Sequence, residues 1–222
     1  MLRYSQHLLM DVGKETSVSL TLVVRSGETG RLAVPLAFGA ISDLTFDDNR
    51  GHRVMFDPQS TPPVLLLENL DAGPDTVHVR FTAKDFFNWD RAKKGAFGNY
   101  TVTSKFTQTV PEEIEEFSSE IVLPAGFIVN SIVESIPDYS ENDAECPYQL
   151  RLVSERHAIT IHSTKMKTGD VALLTIRMKS DQKSVIVLGG IVLLGVLYLI
   201  FFRDVLKEQD IQHPSKVVKV EV

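Results

Sequence analysis

Along most of the chain the apolar residues fall at alternate positions, the period of a strand with one buried face. Ser17 to Val24 reads S-V-S-L-T-L-V-V, and Thr76 to Thr82 reads T-V-H-V-R-F-T. Between them lie further short β-prone runs at Arg31 to Phe38, Ile41 to Phe46, His52 to Phe56 and Val64 to Leu67. Turn-forming stretches separate them, among them Ser26-Gly27-Glu28-Thr29-Gly30 and Asp47-Asp48-Asn49-Arg50-Gly51. A second series starts near Asn99, with Tyr100 to Thr109, Glu116 to Leu123, Phe127 to Ile136, Tyr148 to Val153, Ala158 to Ser163 and Val171 to Met178. Long amphipathic helical patterns are absent before residue 184. This texture predicts an all-β fold of one or two immunoglobulin-like β-sandwich domains. The expected division is residues 1–97 and 98–183, as two halves or two domains, with the loop from Arg91 to Gly98 as the boundary.

The pattern changes at Ser184. From there to Phe202, 15 of 19 residues are hydrophobic and none is charged, between Lys183 and Arg203. As a helix this stretch would span roughly 28 Å, close to the hydrocarbon thickness of a bilayer. The prediction is a single C-terminal transmembrane helix at 184–202, with the lipid bilayer as its partner and a short flexible tail at 203–222. Tyr198, Phe201 and Phe202 sit toward one interface, where aromatic rings anchor. Gly189, Gly190 and Gly195 thin part of the helix surface and are candidates for packing against another helix.

Charge does not orient the segment. Lys165, Lys167, Arg177, Lys179 and Lys183 precede it, against Arg203, Lys207, Lys216 and Lys219 behind it. Met1 to Met10 carries no apolar run of signal-peptide length, which read literally favours a cytosolic domain anchored by its tail. The strand pattern begins almost at once, however, and the span ends abruptly like a stop-transfer segment. The expectation therefore leans to a single-pass membrane protein with an extracytoplasmic β region and a cytoplasmic C-terminal tail.

Composition narrows the function classes. The 222 residues carry Lys+Arg 23 against Asp+Glu 29, a net charge of -6. All of that excess lies before the helix, which argues against nucleic acid as a partner. One cysteine excludes an internal disulfide. Cys146 stands among carboxylates, which disfavour a reactive thiolate.

The six histidines show none of the spacings that chelate a metal, and His157 and His162 fall on opposite faces of a strand. Phosphate-cradling glycine loops and a nucleophile elbow are likewise missing from the sequence. The expectation is a protein that is not an enzyme and takes no cofactor or metal. Two carboxylate groups, Glu112, Glu113, Glu115, Glu116 and Glu120, then Asp138, Glu141, Asp143 and Glu145, read either as solvated faces or as calcium-lining loops.

The densest recognition chemistry is Phe86-Phe87-Asn88-Trp89-Asp90-Arg91-Ala92-Lys93-Lys94-Gly95-Ala96-Phe97. Aromatic and cationic side chains dominate binding hot spots. The candidate interaction surface is therefore Phe86, Phe87, Trp89, Arg91, Lys93, Lys94 and Phe97, although Phe86 and Trp89 can equally pack between β layers. The expected role is a protein-binding or scaffold subunit of a membrane-associated complex, with a protein partner or a second copy of the chain. A receptor or adhesion ectodomain for a ligand, sugar or calcium is the alternative.

Overall fold

The computed structural model describes residues 1–11, 15–25, 30–36, 38, 40–48, 53–68, 73–87, 100–137, 148–180 and 183–211, with helix side chains at 186–202. Among the described residues thirteen strands precede one helix. The first seven are β1 (Arg3–Met10), β2 (Glu15–Arg25), β3 (Arg31–Pro35), β4 (Ala40–Asp48), β5 (Arg53–Asp57), β6 (Val64–Glu68) and β7 (Pro74–Lys84). The rest are β8 (Tyr100–Thr107), β9 (Ile114–Val122), β10 (Phe127–Ile136), β11 (Tyr148–Val153), β12 (Arg156–Met166) and β13 (Val171–Ser180). The helix is α1 (Lys183–Ile211). Met1–Ser180 forms one compact unit and Asp181–Val222 another.

The all-β expectation holds for the first unit, and alternation is its cause. On β2, Val18, Leu20, Leu22 and Val24 are buried while their neighbours face outward. Strands of both sequence halves join in one seven-stranded sheet, in the order β11-β12-β9-β1-β2-β7-β4. The halves meet where β1 pairs in parallel with β9, Arg3 opposite Glu116 and Leu9 opposite Val122. The other described pairings are antiparallel. A parallel pair departs from the wholly antiparallel sheets of an immunoglobulin sandwich. Two three-stranded sheets, β10-β13-β8 and β3-β6-β5, complete the unit.

Buried residues of all three sheets belong to one core. Rings of Tyr4 (β1), Phe106 (β8) and Phe117 (β9) pack together, Tyr4 tilted on Phe106 at 4.8 Å and Phe117 stacked on both at 5.9 and 4.5 Å, tying the large sheet to a small one. A second cluster gathers Phe38, Phe81, Phe86 and Phe87 at the far end of β7. Such ring pairs contribute about 0.5–1.5 kcal/mol beyond the area they bury.

The edges of the large sheet differ. β4 carries a register shift between Ser42 and Thr45, with Asp43 at a left-handed φ of 54°. β11 pairs with β12 without interruption from Tyr148 to Val153. Their two-residue hairpin places Ser154 and Glu155 at φ 48° and 65°, the geometry of the primed turns that match strand twist. Neither residue is the asparagine or glycine that this geometry favours, so tertiary packing and not local preference sets the turn.

The predicted span 184–202 falls inside α1, whose 29 residues form a continuous helix. Among the described residues, no helix is long and apolar enough to cross a membrane.

Candidate functional site

The outer face of the seven-stranded sheet is polar for the same reason that its inner face is apolar. The residues alternating with the core of β1 include Ser5 and His7, and those on β9 are Glu116, Ser118 and Glu120. The parallel register sets His7 directly opposite Glu120. His7 Nδ1 lies 2.6 Å from Glu120 Oε2. A carboxylate oxygen accepts, so Nδ1 is the donor of this contact.

Arg151 completes the centre from β11. Its own neighbour on β12 is Ala158, a side chain too small to block the way to β9. Its Nε donates to Glu120 Oε1 at 2.6 Å, and a terminal guanidinium nitrogen lies 2.5 Å from the same oxygen. Each carboxylate oxygen thus holds one basic group, and the Glu120 side chain is only 11% exposed. Charge-assisted bonds of this length are roughly twice as strong as neutral ones.

Around this centre opens a cavity of about 280 Å³, also lined by Ser118, Gln149, Thr160 and His162. On the neighbouring strands Thr21 Oγ1 and His78 Nδ1 lie 3.1 Å apart. The lining offers amide, hydroxyl, imidazole and guanidinium groups, which suit hydrogen bonding to a polar ligand. The Ser60 hydroxyl and the Gln59 backbone N–H hold the Asp57 carboxyl below its usual range. Burial pushes the Tyr4 phenol well above its own.

The sequence-predicted contact surface is divided by the structure. Phe87 is fully buried and Phe86 is half-buried between Phe38 and Phe87, so both serve the core. Trp89, Arg91, Lys93, Lys94 and Phe97 lie outside the described residues, as do Cys146 and the second carboxylate group. Two members of the first carboxylate group pair with basic side chains. Glu116 pairs with Arg3, and Glu120 with His7 and Arg151. Among the described residues no group of three or more His, Cys, Asp or Glu is placed to hold a metal ion. At Gly189, Gly190 and Gly195 an added Cβ would meet nothing within 4 Å.

The His7–Glu120–Arg151 centre escapes sequence reading because its members lie 113 and 31 residues apart. The usable signal was polar residues at the outward positions of otherwise apolar strands.

No protein-family model matches the chain, and no curated protein does. Among solved structures it is similar to an M1 zinc metallopeptidase from Deinococcus radiodurans, at 12% identity and a TM-score of 0.47, over 79% of this chain and 41% of that one. It is also similar to native yeast LTA4 hydrolase, at 12% identity and a TM-score of 0.43, over 79% of this chain and 28% of that one. The chain spans less than half the length of either.

Proposed function

We propose that this protein is a non-enzymatic β module held at a membrane by α1, acting as a protein-binding or scaffold subunit of a membrane-associated complex. The supporting observation is the helix surface. Within the helix's own unit nothing covers the large apolar side chains from Ile186 to Phe202, whose exposures run from 39% to 75%. Burying such a side chain is worth about 1.5–3 kcal/mol, so fourteen of them exposed to water would be a large penalty. A bilayer removes the penalty on all sides of the helix at once, which a one-sided protein groove does not. In this reading residues 184–202 span the bilayer and Gly189, Gly190 and Gly195 offer a close approach to a second helix. The β unit lies on the extracytoplasmic side, and what carries over from the immunoglobulin-like expectation, given the parallel β1–β9 pair, is a rigid β platform that presents edges and loops to a partner.

Alkaline carbonate extraction of membranes from cells expressing the full chain tests the tether. The chain should stay with the pellet, and Leu193→Arg with Val196→Arg should release it. Each charge placed near a helix centre costs about 2.5–3.5 kcal/mol on insertion. Release of the unaltered chain would overturn the reading. A receptor or adhesion role toward a small ligand or sugar is the second reading, favoured by the polar cavity at Glu120. Its test is titration of glycans with the cavity variant Arg151→Ala as control.

A further inference from the structure

Of the five large apolar side chains exposed on the described β unit, four lie on two strands, Val133 and Ile136 on β10 and Leu150 and Leu152 on β11. β11 is the edge of the seven-stranded sheet, with β12 as its one neighbour among the described residues. Leu150 and Leu152 are 56% and 67% exposed, yet they occupy the inner-face positions of their strand. Leu150 stands directly opposite Ile159, which is wholly buried. The apolar face thus continues one strand beyond its cover.

Edges of natural sheets are usually guarded by charge, bulges or proline. The single charge on β11, Arg151, points to the outer face and is held there by Glu120. It therefore does not guard the backbone edge. β4, at the opposite edge, has a bulge and Asp43 in a left-handed conformation.

We propose that β11 docks antiparallel against β11 of a second copy of this chain, about a two-fold axis through Leu150. The charges and side chains select this occupant and this register. With Leu150 opposite Leu150, Tyr148 meets Leu152 on the inner face, and Gln149 meets Arg151 on the outer face. All three apolar positions are matched, and each guanidinium faces a neutral amide that can accept from it. Shifting the axis to residue 151 sets Arg151 against Arg151, and like charges directly opposite are destabilising. Shifting it to residue 149 leaves Leu152 without an apolar partner on β11. The self-paired edge closes on itself, as a two-fold interface does, instead of growing into a fibre. Gln149 of the partner then stands beside Arg151 on the outer face, so each cavity is bordered by the other copy.

The pairing refines the partner-binding role but does not depend on the tether. Carbonate extraction reports on the helix, and cross-linking at Leu150 reports on the strand, so either can fail alone. The experiment uses the full chain in mild detergent with Cys146→Ser and single cysteines at 150, 151 or 152. Under mild oxidation Leu150→Cys should give a covalent dimer, because directly opposed Cβ atoms lie about 4.5–5.5 Å apart. Leu152→Cys and Arg151→Cys should give far less. Leu150→Lys with Leu152→Lys should convert a sedimenting dimer to monomer with an unchanged circular dichroism spectrum, since both side chains are already exposed. A chain that sediments as monomer at every concentration, or cross-links no better at 150 than at 152, overturns the proposal. So does preferential cross-linking at 151, or growth into open-ended assemblies.

Discussion

At one edge of the seven-stranded sheet, β4 breaks register between Ser42 and Thr45, turns Asp43 to φ 54° and exposes Asp47. At the other edge β11 is regular, with its only charge anchored to Glu120 and two leucines bare. Both strands belong to one sheet and share one core, so general stability does not explain the contrast. A bulge and an aspartate spoil a row of backbone donors and acceptors for any incoming strand, whereas a straight edge whose one charge is held on the outer face preserves it. The difference teaches that the outward polarity of a sheet face and the accessibility of its edge are set separately. Glu120 makes the outer face of β11 polar while removing Arg151 from edge duty.

The largest effect that would break the comparison sits across one pair. Ile159→Ala on β12 should lower stability by about 2–4 kcal/mol, the usual range for truncating a fully buried aliphatic side chain. Leu150→Ala, directly opposite, should change monomer stability by less than about 0.5 kcal/mol. Chemical denaturation of the two variants in detergent checks this, and equal losses would mean that β11 is covered after all.

Next in size is Glu120→Gln, which leaves Arg151 and His7 without their carboxylate. Both partners are partly exposed, so the expected loss is about 1–2 kcal/mol, below the range for a fully buried pair. The same denaturation midpoints report it.

The hairpin that fixes β11 on β12 should respond in the opposite direction. Ser154→Asn with Glu155→Gly suits the two positive φ values, and a gain of about 1 kcal/mol is expected from the shift in thermal midpoint.

Smallest at neutral pH is Tyr4→Phe, deep under β1 and remote from either edge. The Tyr4 hydroxyl is buried with no hydrogen-bond partner among the described residues, so its removal should be neutral or stabilising by up to about 1 kcal/mol. Its pH dependence has a definite sign. Burial raises the folded phenol above the unfolded value of about 10, so the unfolded chain loses its proton first. Stability is therefore fully present below pH about 10 and falls as pH rises further, and Tyr4→Phe should flatten that fall in an alkaline denaturation series.

Much of the architecture was legible because alternation is written locally. The runs at Ser17 to Val24 and Phe127 to Ile136 became β2 and β10 with nearly the same limits. What alternation does not encode is which strand pairs with which. The bond between halves, β1 on β9, joins residues 113 apart, and neither strand advertises a parallel partner. The candidate site depends on that pairing and stayed illegible with it. Phe86 and Phe87 show the converse error. Aromatic density reads the same for a hot spot and for a core cluster, and only the positions of Phe38 and Phe81 decide between them.

The β1–β9 pair also sets a schedule for the ribosome. β1 has β2 as an early neighbour, but its second edge stays vacant until β9 has emerged. At roughly 5–20 residues per second, the hundred-odd residues between them take about 5–20 s to make. For that interval the nascent chain exposes an unfinished sheet along Arg3–Met10, the strand later seated at its middle. A holding chaperone that recognises apolar strands should therefore engage the first hundred residues during synthesis and leave once residue 122 is free.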